Sequence, residues 1–217
     1  MCIDELKIYL DLSPESKSKV LDKYTMKFDL GYFFIDSEDG HCYLFDKDGD
    51  EKDVSLIHEI NEYMIPKDIE KIVIPNNVVS IRDWTFENCS DLESVTIPNS
   101  ITRIRNGVFF GCSKLKSVTI LDSITSIDTY AFCECNKLTS MTIPDSVTSI
   151  GDFAFENCES LINVTIPNSV KSIESCVFRG CNLKSIIFKG KTIDQVKAMT
   201  YYPFGIEDES IIKVELN

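Results

Sequence analysis

Residues 143–166 read IPDSVTSIGDFAFENCESLINVTI, and residues 97–120 read IPNSITRIRNGVFFGCSKLKSVTI. The two stretches share Ile-Pro, Ile, Phe, Cys, Leu and Ile at matching offsets, with little in common between those marks. Counting outward, the period is 23. Ile74, Ile97, Ile120, Ile143 and Ile166 form one row, and Ile81, Ile104, Ile127, Ile150 and Ile173 another. Phe86, Phe109, Phe132, Phe155 and Phe178 form a third row, and Cys89, Cys112, Cys135, Cys158 and Cys181 a fourth. Self-similarity at this period is the mark of a solenoid, in which each coil buries its apolar side only against its neighbours.

Each coil can be read locally. In LESVTI, residues 92–97, Val95 and Ile97 alternate with Ser94 and Thr96, a period-2 strand with an apolar inner face. Pro98 ends the ladder because it has no N–H to donate. SITRI, residues 100–104, predicts a second extended piece with Ile101 and Ile104 inward. From Arg105 to Ser113 the pattern predicts one or two helical turns that drive Phe109 into the core. Asn or Gly precedes the row cysteine at Asn88, Gly111, Asn157 and Gly180, as a left-handed turn position asks. Glu134 is the exception, where mild strain or a shifted turn is expected.

A thiol is small, tolerates burial, and offers a weak S–H donor to a turn carbonyl. Coils stacked about 4.8 Å apart would line the five row thiols in a column. Nine cysteines is an odd count, and parallel Cβ vectors disfavour bridges between neighbours, so reduced thiols are expected. Cys133 and Cys176 fall off the row and are expected to be partly exposed.

The string L-x-S-V-T-I-P-x-S-V-T-S-I-G-x-x-A-F-x-x-C, nearly complete at residues 138–158, resembles the BspA-like, Treponema-type leucine-rich repeat. The resemblance covers residues 66–189. It implies a solenoid that binds other proteins, often as a surface adhesin of bacteria or protozoan parasites, and it brings no catalytic residues. The fold class expected is thus an α/β repeat, a leucine-rich-repeat solenoid dominated by parallel β-strands. About five coils would occupy residues 64–189. A small α+β cap would occupy 1–63 and a short helical cap 190–217.

The flanks support that division. SPESKSKVLDKY, residues 13–24, reads as a helix capped by Ser13 with Pro14 at its first position. Residues 31–57 read as three strands joined by Asp-Gly turns. At the other end Thr192 and Gln195 form a capping box opening a short helix. Tyr201, Tyr202 and Phe204 are expected to cover the last coil, and IIKVEL, residues 211–216, to add a final strand.

Net charge is −13 and unevenly spread: residues 1–63 hold 16 Asp/Glu against 7 Lys/Arg. A basic stripe is absent, which disfavours direct nucleic-acid binding. No apolar run could span a bilayer. The start, MCIDELKIYL, has acids where a leader would carry bases, so a cytoplasmic location is expected, with the cell surface as the alternative.

Chemistry is sparse. DKDGDEKD, residues 46–53, invites a calcium reading, but Gly49 and Ile57 stand at the wrong offsets for an EF-hand loop, and a hairpin tip fits better. FKGKT, residues 188–192, lacks the earlier glycine of a phosphate loop. The Asn88 and Asn163 sequons fall on structural rows. His41 and His58 are the only histidines and neither lies in a repeat, so no acid–base or nucleophilic constellation emerges. Neither an enzyme activity nor a cofactor or metal is expected.

What remains is surface. Thr96, Thr119, Thr142 and Thr165 form an outward row on the main strands, broken by Ile187. The row either keeps the sheet soluble or accepts a partner. A variable row holds Trp84, Gly107, Tyr130, Phe153 and Cys176, and exposed aromatics are favoured interface anchors. Arg103, Arg105, Phe110 and Arg179 depart from the repeat consensus and are further candidates. The leading expectation is a protein-binding module that docks its partner on the sheet with aromatic and Arg anchors. One alternative is a decoy in which Asp36, Glu38, Asp39, Asp46, Asp48, Asp50 and Glu51 fill a basic groove of a nucleic-acid-handling protein; the other is a surface adhesin, as the resemblance implies. The oligomeric state and the partner's identity do not follow from the residues.

Overall fold

Two short strands per coil, each stacked in register on its neighbour one repeat away, build a parallel solenoid. The computed structural model describes the backbone of residues 32–36 and 42–46, and residues 59–216 apart from 63, 64, 66, 68 and 75–77. The strands are β1 (Tyr32–Asp36), β2 (Cys42–Asp46), β3 (Glu59–Ile60), β4 (Lys71–Val73), β5 (Ser80–Ile81), β6 (Ser94–Thr96), β7 (Arg103–Ile104) and β8 (Ser117–Thr119). They continue as β9 (Ser126–Ile127), β10 (Met141–Thr142), β11 (Ser149–Ile150), β12 (Asn163–Ile166), β13 (Ser172–Ile173), β14 (Ser185–Lys189) and β15 (Ile212–Glu215). β1 and β2 pair antiparallel, Tyr32 opposite Asp46 and Asp36 opposite Cys42.

The even-numbered strands from β4 to β14 form the main side, one per turn, six turns in all. The odd-numbered strands from β3 to β13 form a second side. Register follows the period: Val95 lies opposite Val118, and Ile150 opposite Ile173. β3 pairs with β5, so the stack reaches back at least to Glu59–Ile60, ahead of the first sequence rows. The main sheet is interrupted between β8 and β10. There Leu121 stands where other coils have Pro, and Val118 and Ile120 are only partly buried.

The third side corrects the sequence reading. The segment from Arg105 to Ser113 contains no helix. It is a run of tight turns whose N–H groups alternate between two uses. Glu87 and Cys89 donate back to Trp84 O and Phe86 O within the coil, while Trp84, Phe86 and Asn88 donate to Asn106 O, Val108 O and Phe110 O of the next coil. A helix would spend every N–H inside its own segment and leave the coils unjoined; the alternation satisfies the backbone in both directions.

The geometry needs two left-handed residues per coil. One row is the expected one before the cysteine: Asn88 (φ 56°), Gly111 (69°), Glu134 (61°), Asn157 (57°) and Gly180 (74°). Glu134 thus keeps the turn unshifted and carries the strain. Glu134→Gly is expected to stabilise the protein by roughly 0.5–1 kcal/mol, because the left-handed penalty on a Cβ disappears. Chemical denaturation would show the midpoint rising with an unchanged slope; a fall would contradict this.

Inside, the phenylalanine row is one continuous stack. Successive ring centroids from Phe86 to Phe178 lie 5.2, 5.3, 5.4 and 5.7 Å apart, with planes within 12° of parallel. The row thiols form the column beside it. Cys112, Cys135, Cys158 and Cys181 Sγ donate to Phe86, Phe109, Phe132 and Phe155 O at 3.0–3.1 Å. The five row cysteines, Cys133 and Cys176 are all free thiols. Cys133 is buried rather than partly exposed, and its Sγ faces the Glu156 carboxylate of the next coil at 3.7 Å.

Burial pushes the Cys112, Cys135 and Cys158 thiols up, and takes Cys133 from 9.0 to about 12, with the Glu156 carboxylate adding to the effect. An unfolded chain releases these protons above its ordinary thiol value, while the folded chain keeps them. Stability is therefore insensitive to the thiols below pH 9.0 and falls as pH rises from there toward about 12. Urea midpoints measured across that window test this, with a shallower fall expected for Cys133→Ala.

At the C-terminal end, α1 (Ile193–Lys197) begins with the expected capping box, Thr192 Oγ1 accepting from Gln195 N and Gln195 Oε1 from Thr192 N. Phe204 is fully buried and accepts from Phe178 N, and Tyr202 packs beside it. Tyr201, expected to cover the last coil, is 52% exposed instead, and the covering falls to Phe204 and Tyr202. β15 adds to β14 in parallel, Ile186 opposite Ile212 and Lys189 opposite Glu215.

Candidate functional site

The second left-handed row is the variable one: Trp84 (φ 62°), Gly107 (58°), Tyr130 (58°), Phe153 (56°) and Cys176 (55°). Glycine takes this conformation without penalty, whereas an L side chain costs about 1–2 kcal/mol. Aromatic residues occupy three of the five positions. The inter-coil bonds Trp84 N to Asn106 O, Tyr130 N to Asp152 O and Phe153 N to Ser175 O hold them there.

The result is an aromatic strip along the turn side. Tyr130 and Phe153 stack at 5.0 Å with planes 6° apart. Trp84 follows at 6.3 Å from Tyr130, and Phe110 meets Trp84 and Tyr130 edge-on at 5.8 and 6.3 Å. Gly107 is the gap that makes this possible. A Cβ on Gly107 would lie 2.0 Å from Trp84 Cε3, so the indole fills the place of the missing side chain. Trp84 remains 36% exposed, and Phe110, Tyr130 and Phe153 are half-buried. The parallel rings of Tyr130 and Phe153 turn their edges, not their faces, outward.

Arg179 closes the far end. Its guanidinium lies 5.2 Å from the Phe153 centroid and pairs with Glu156, whose carboxylate is nearly buried and also accepts from Cys133 Sγ at 3.7 Å. The hydrogen bond and charge of Glu156 raise the Arg179 pKa. Cation–π contact and ion pair together orient the side chain over the ring.

The other candidates lie elsewhere. Arg103, on β7, reaches Asp128 at 2.8 Å and Ser126 at 3.1 Å on the second side. Arg105 is exposed two residues before Gly107. Thr96, Thr119 and Thr142 are exposed and Thr165 half-buried on the main sheet, apart from the rings. The expected surface of sheet plus aromatic anchors is therefore two surfaces: the threonine row and the strip occupy different sides of each coil. Asp36 and Asp46 end β1 and β2; Glu38, Asp39, Asp48, Asp50, Glu51, the helix read over 13–24 and both histidines lie outside the described residues.

Position along the coil gave no warning of Glu156 and Cys133 as a linked pair beneath the strip. Their only sequence signal was a shared row with Phe110 and Arg179, 23 residues apart. A cleft of about 510 Å³ also opens at the C-terminal end, where the last coil is one residue short, lined by Phe178, Cys181, Leu183, Ile206, Asp208 and Ile211. In the FKGKT stretch, Lys191 Nζ is bonded to Asn168 O at 2.8 Å. Among the described residues, no cluster of His, Cys, Asp or Glu is placed to hold a metal, and no helix is long and apolar enough to cross a membrane.

The comparisons agree with this geometry. A leucine-rich repeat protein from Bacteroides ovatus superposes with a TM-score of 0.59 at 34% identity, over 68% of this chain and 37% of its own length. The leucine-rich repeat protein of T. pallidum gives 0.56 at 26%, over 74% of this chain and 70% of that one. A leucine-rich cell surface protein from Faecalibacterium prausnitzii gives 0.58 at 25%, over 82% of this chain and 42% of that one. The chain thus spans just over a third of the length of the Bacteroides protein. No curated protein matches it. The model of the BspA type leucine rich repeat region matches residues 59–184 and 125–205 with six copies, and the chain belongs to that family.

Proposed function

We propose that this protein is a non-enzymatic scaffold that binds another protein along the aromatic strip. The observation that carries the reading is the choice of Trp84, Tyr130 and Phe153 for left-handed positions. Each residue bears a backbone penalty that glycine would remove, and each stays partly open to solvent, so core packing alone does not account for it. Half-exposed aromatics with an oriented arginine are the composition of interface anchors. The family favours the same kind of role, and no site of concerted acid–base or nucleophilic groups competes with it among the described residues.

The test is capture of partners from lysate by the intact protein, followed by affinity measurement on variants. Trp84→Ala and Tyr130→Ala are expected to weaken binding about thirtyfold each, the size of a 2 kcal/mol anchor. Thr119→Lys and Thr142→Lys, on the main sheet, are expected to leave it unchanged. The reverse pattern would move the site to the sheet. Binding that collapses with added salt, and with neutralisation of residues 36–53, would favour the acidic decoy instead. A second reading concerns location: the Faecalibacterium relative is described as a cell surface protein, which favours display outside the cell. Labelling of intact cells with an impermeant reagent separates the two locations.

A further inference from the structure

We infer that β15 is a self-pairing edge, through which two copies of this chain join antiparallel about a two-fold axis at Val214. β15 is the last strand of its sheet, in the order β10-β12-β14-β15, and one of its two edges has no partner among the described residues. Which edge is open follows from the hydrogen bonds. Gly190 N donates to Glu215 O at 2.7 Å, so Glu215 and, two residues away, Lys213 direct their backbone groups to the β14 side. Ile212, Val214 and Leu216 therefore direct theirs outward, the Ile212 N–H donating to Glu209 O of the turn before the strand and the Ile212 carbonyl facing out.

The sequence of this strand, IKVEL, is complementary to itself when reversed. A two-fold axis at Val214 places Val214 opposite Val214, Ile212 opposite Leu216 and Lys213 opposite Glu215. The outward backbone groups fall in the hydrogen-bonded pairs: Val214 would exchange both bonds with its copy, and Ile212 O would accept from Leu216 N, the Ile212 N–H remaining with Glu209 O. The lysine and glutamate fall in the non-bonded pairs, where side chains of opposing strands stand closest. Opposite charges facing across such a pair stabilise it, and like charges do the reverse.

Exposure agrees with the arrangement. Lys213 and Glu215 are both exposed on the outer face, where Lys189 is the register neighbour of Glu215 on β14. Pairing would set each Glu215 between Lys189 of its own chain and Lys213 of the second copy. On the other face Leu216 is 68% exposed, the highest value among the exposed large hydrophobic residues, and Val214 is half-buried. A lone lysine on an edge strand ordinarily repels foreign strands. Here the two-fold gives it a carboxylate, so the edge rejects other strands and accepts its own copy. The contact is isologous, hence closed at two chains, and would continue the main sheet from one solenoid into the other.

The test is the mass of the intact protein by light scattering or sedimentation over a concentration series. The wild type is expected to move from 24.6 kDa towards twice that value as concentration rises. Lys213→Glu and Glu215→Lys, each alone, face like charges and are expected to stay monomeric. The double variant Lys213→Glu/Glu215→Lys is expected to recover the dimer, and mixing the two single variants to give a one-to-one heterodimer. Circular dichroism checks that each exposed substitution leaves the fold intact. A wild type that stays monomeric at every concentration overturns the inference. So does a dimer indifferent to both single changes, or single variants that fail to associate when mixed.

Discussion

Phe132→Ala is expected to lower stability by about 3–5 kcal/mol, the cost of emptying a fully buried phenylalanine site. Phe132 is the middle ring of the stack, with no solvent exposure, and touches Phe109 at 5.3 Å and Phe155 at 5.4 Å. Deleting it opens a cavity between two coils that have no other way to close, because the turn ladder fixes their spacing. Phe132 N to Ala154 O ties the backbone to the following coil, and Phe109 N to Ala131 O ties it to the preceding one. A solenoid is stabilised largely by contacts between neighbouring coils, so one central deletion weakens two interfaces. Phe86→Ala removes a ring with one stacked neighbour in the row, and a smaller loss is expected there. Since whole domains are stable by only about 5–15 kcal/mol, the Phe132 change should be visible as a large fall in the thermal and urea midpoints. A cost below about 1 kcal/mol would falsify the picture of a rigid inter-coil stack.

Gly107→Ala is expected to cost about 2 kcal/mol and to dismantle the Trp84 end of the aromatic strip. Two effects add. The backbone at Gly107 has φ 58°, where any Cβ carries the left-handed penalty of about 1–2 kcal/mol. That Cβ would also fall 2.0–2.6 Å from Trp84 Cε3, Cζ3 and Cδ2, so the indole must swing away. Trp84 is the only tryptophan in the chain, and its fluorescence reports the displacement directly. The emission is expected to shift to the red as the ring leaves Phe110 and Tyr130 for water. Loss of stability without a spectral change would mean that backbone strain acts alone. Loss of partner affinity in the same variant would tie the strip to binding.

The rows of isoleucine, phenylalanine and cysteine were legible before any coordinates because burial selects residue type. A position with no solvent exposure, repeated in every coil, accepts only what fits the same space next to its own copies. The thiol's bond to a turn carbonyl could be foreseen for the same reason: a small donor facing a backbone acceptor recurs with each repeat. The strain at Glu134 was equally visible, because its row neighbours are Asn and Gly.

The Trp84 row was not legible as a left-handed row, and the reason is physical. Trp, Tyr, Phe and Cys are poor indicators of positive φ, so residue type pointed away from the conformation. Hydrogen bonds between coils over-determine the backbone there, and those bonds belong to no single repeat. The same holds for the run from Arg105 to Ser113. Its local pattern suits a helical turn, but the N–H groups of Gly107, Phe109 and Gly111 are claimed by the next coil.

Residue identity by itself, then, determined the phenylalanine and cysteine rows of the interior, the 23-residue pitch of the stack and the family resemblance, since each depends on local pattern repeated along the chain. Tertiary structure alone decided that the threonine row and the aromatic strip lie on different sides, and that Glu156 pairs with Arg179 beneath the strip. Among the described residues it also left one edge of β15 without a strand partner. Those relations depend on how coils meet in space, through contacts between residues 23 or more positions apart, and no single stretch of the sequence encodes them.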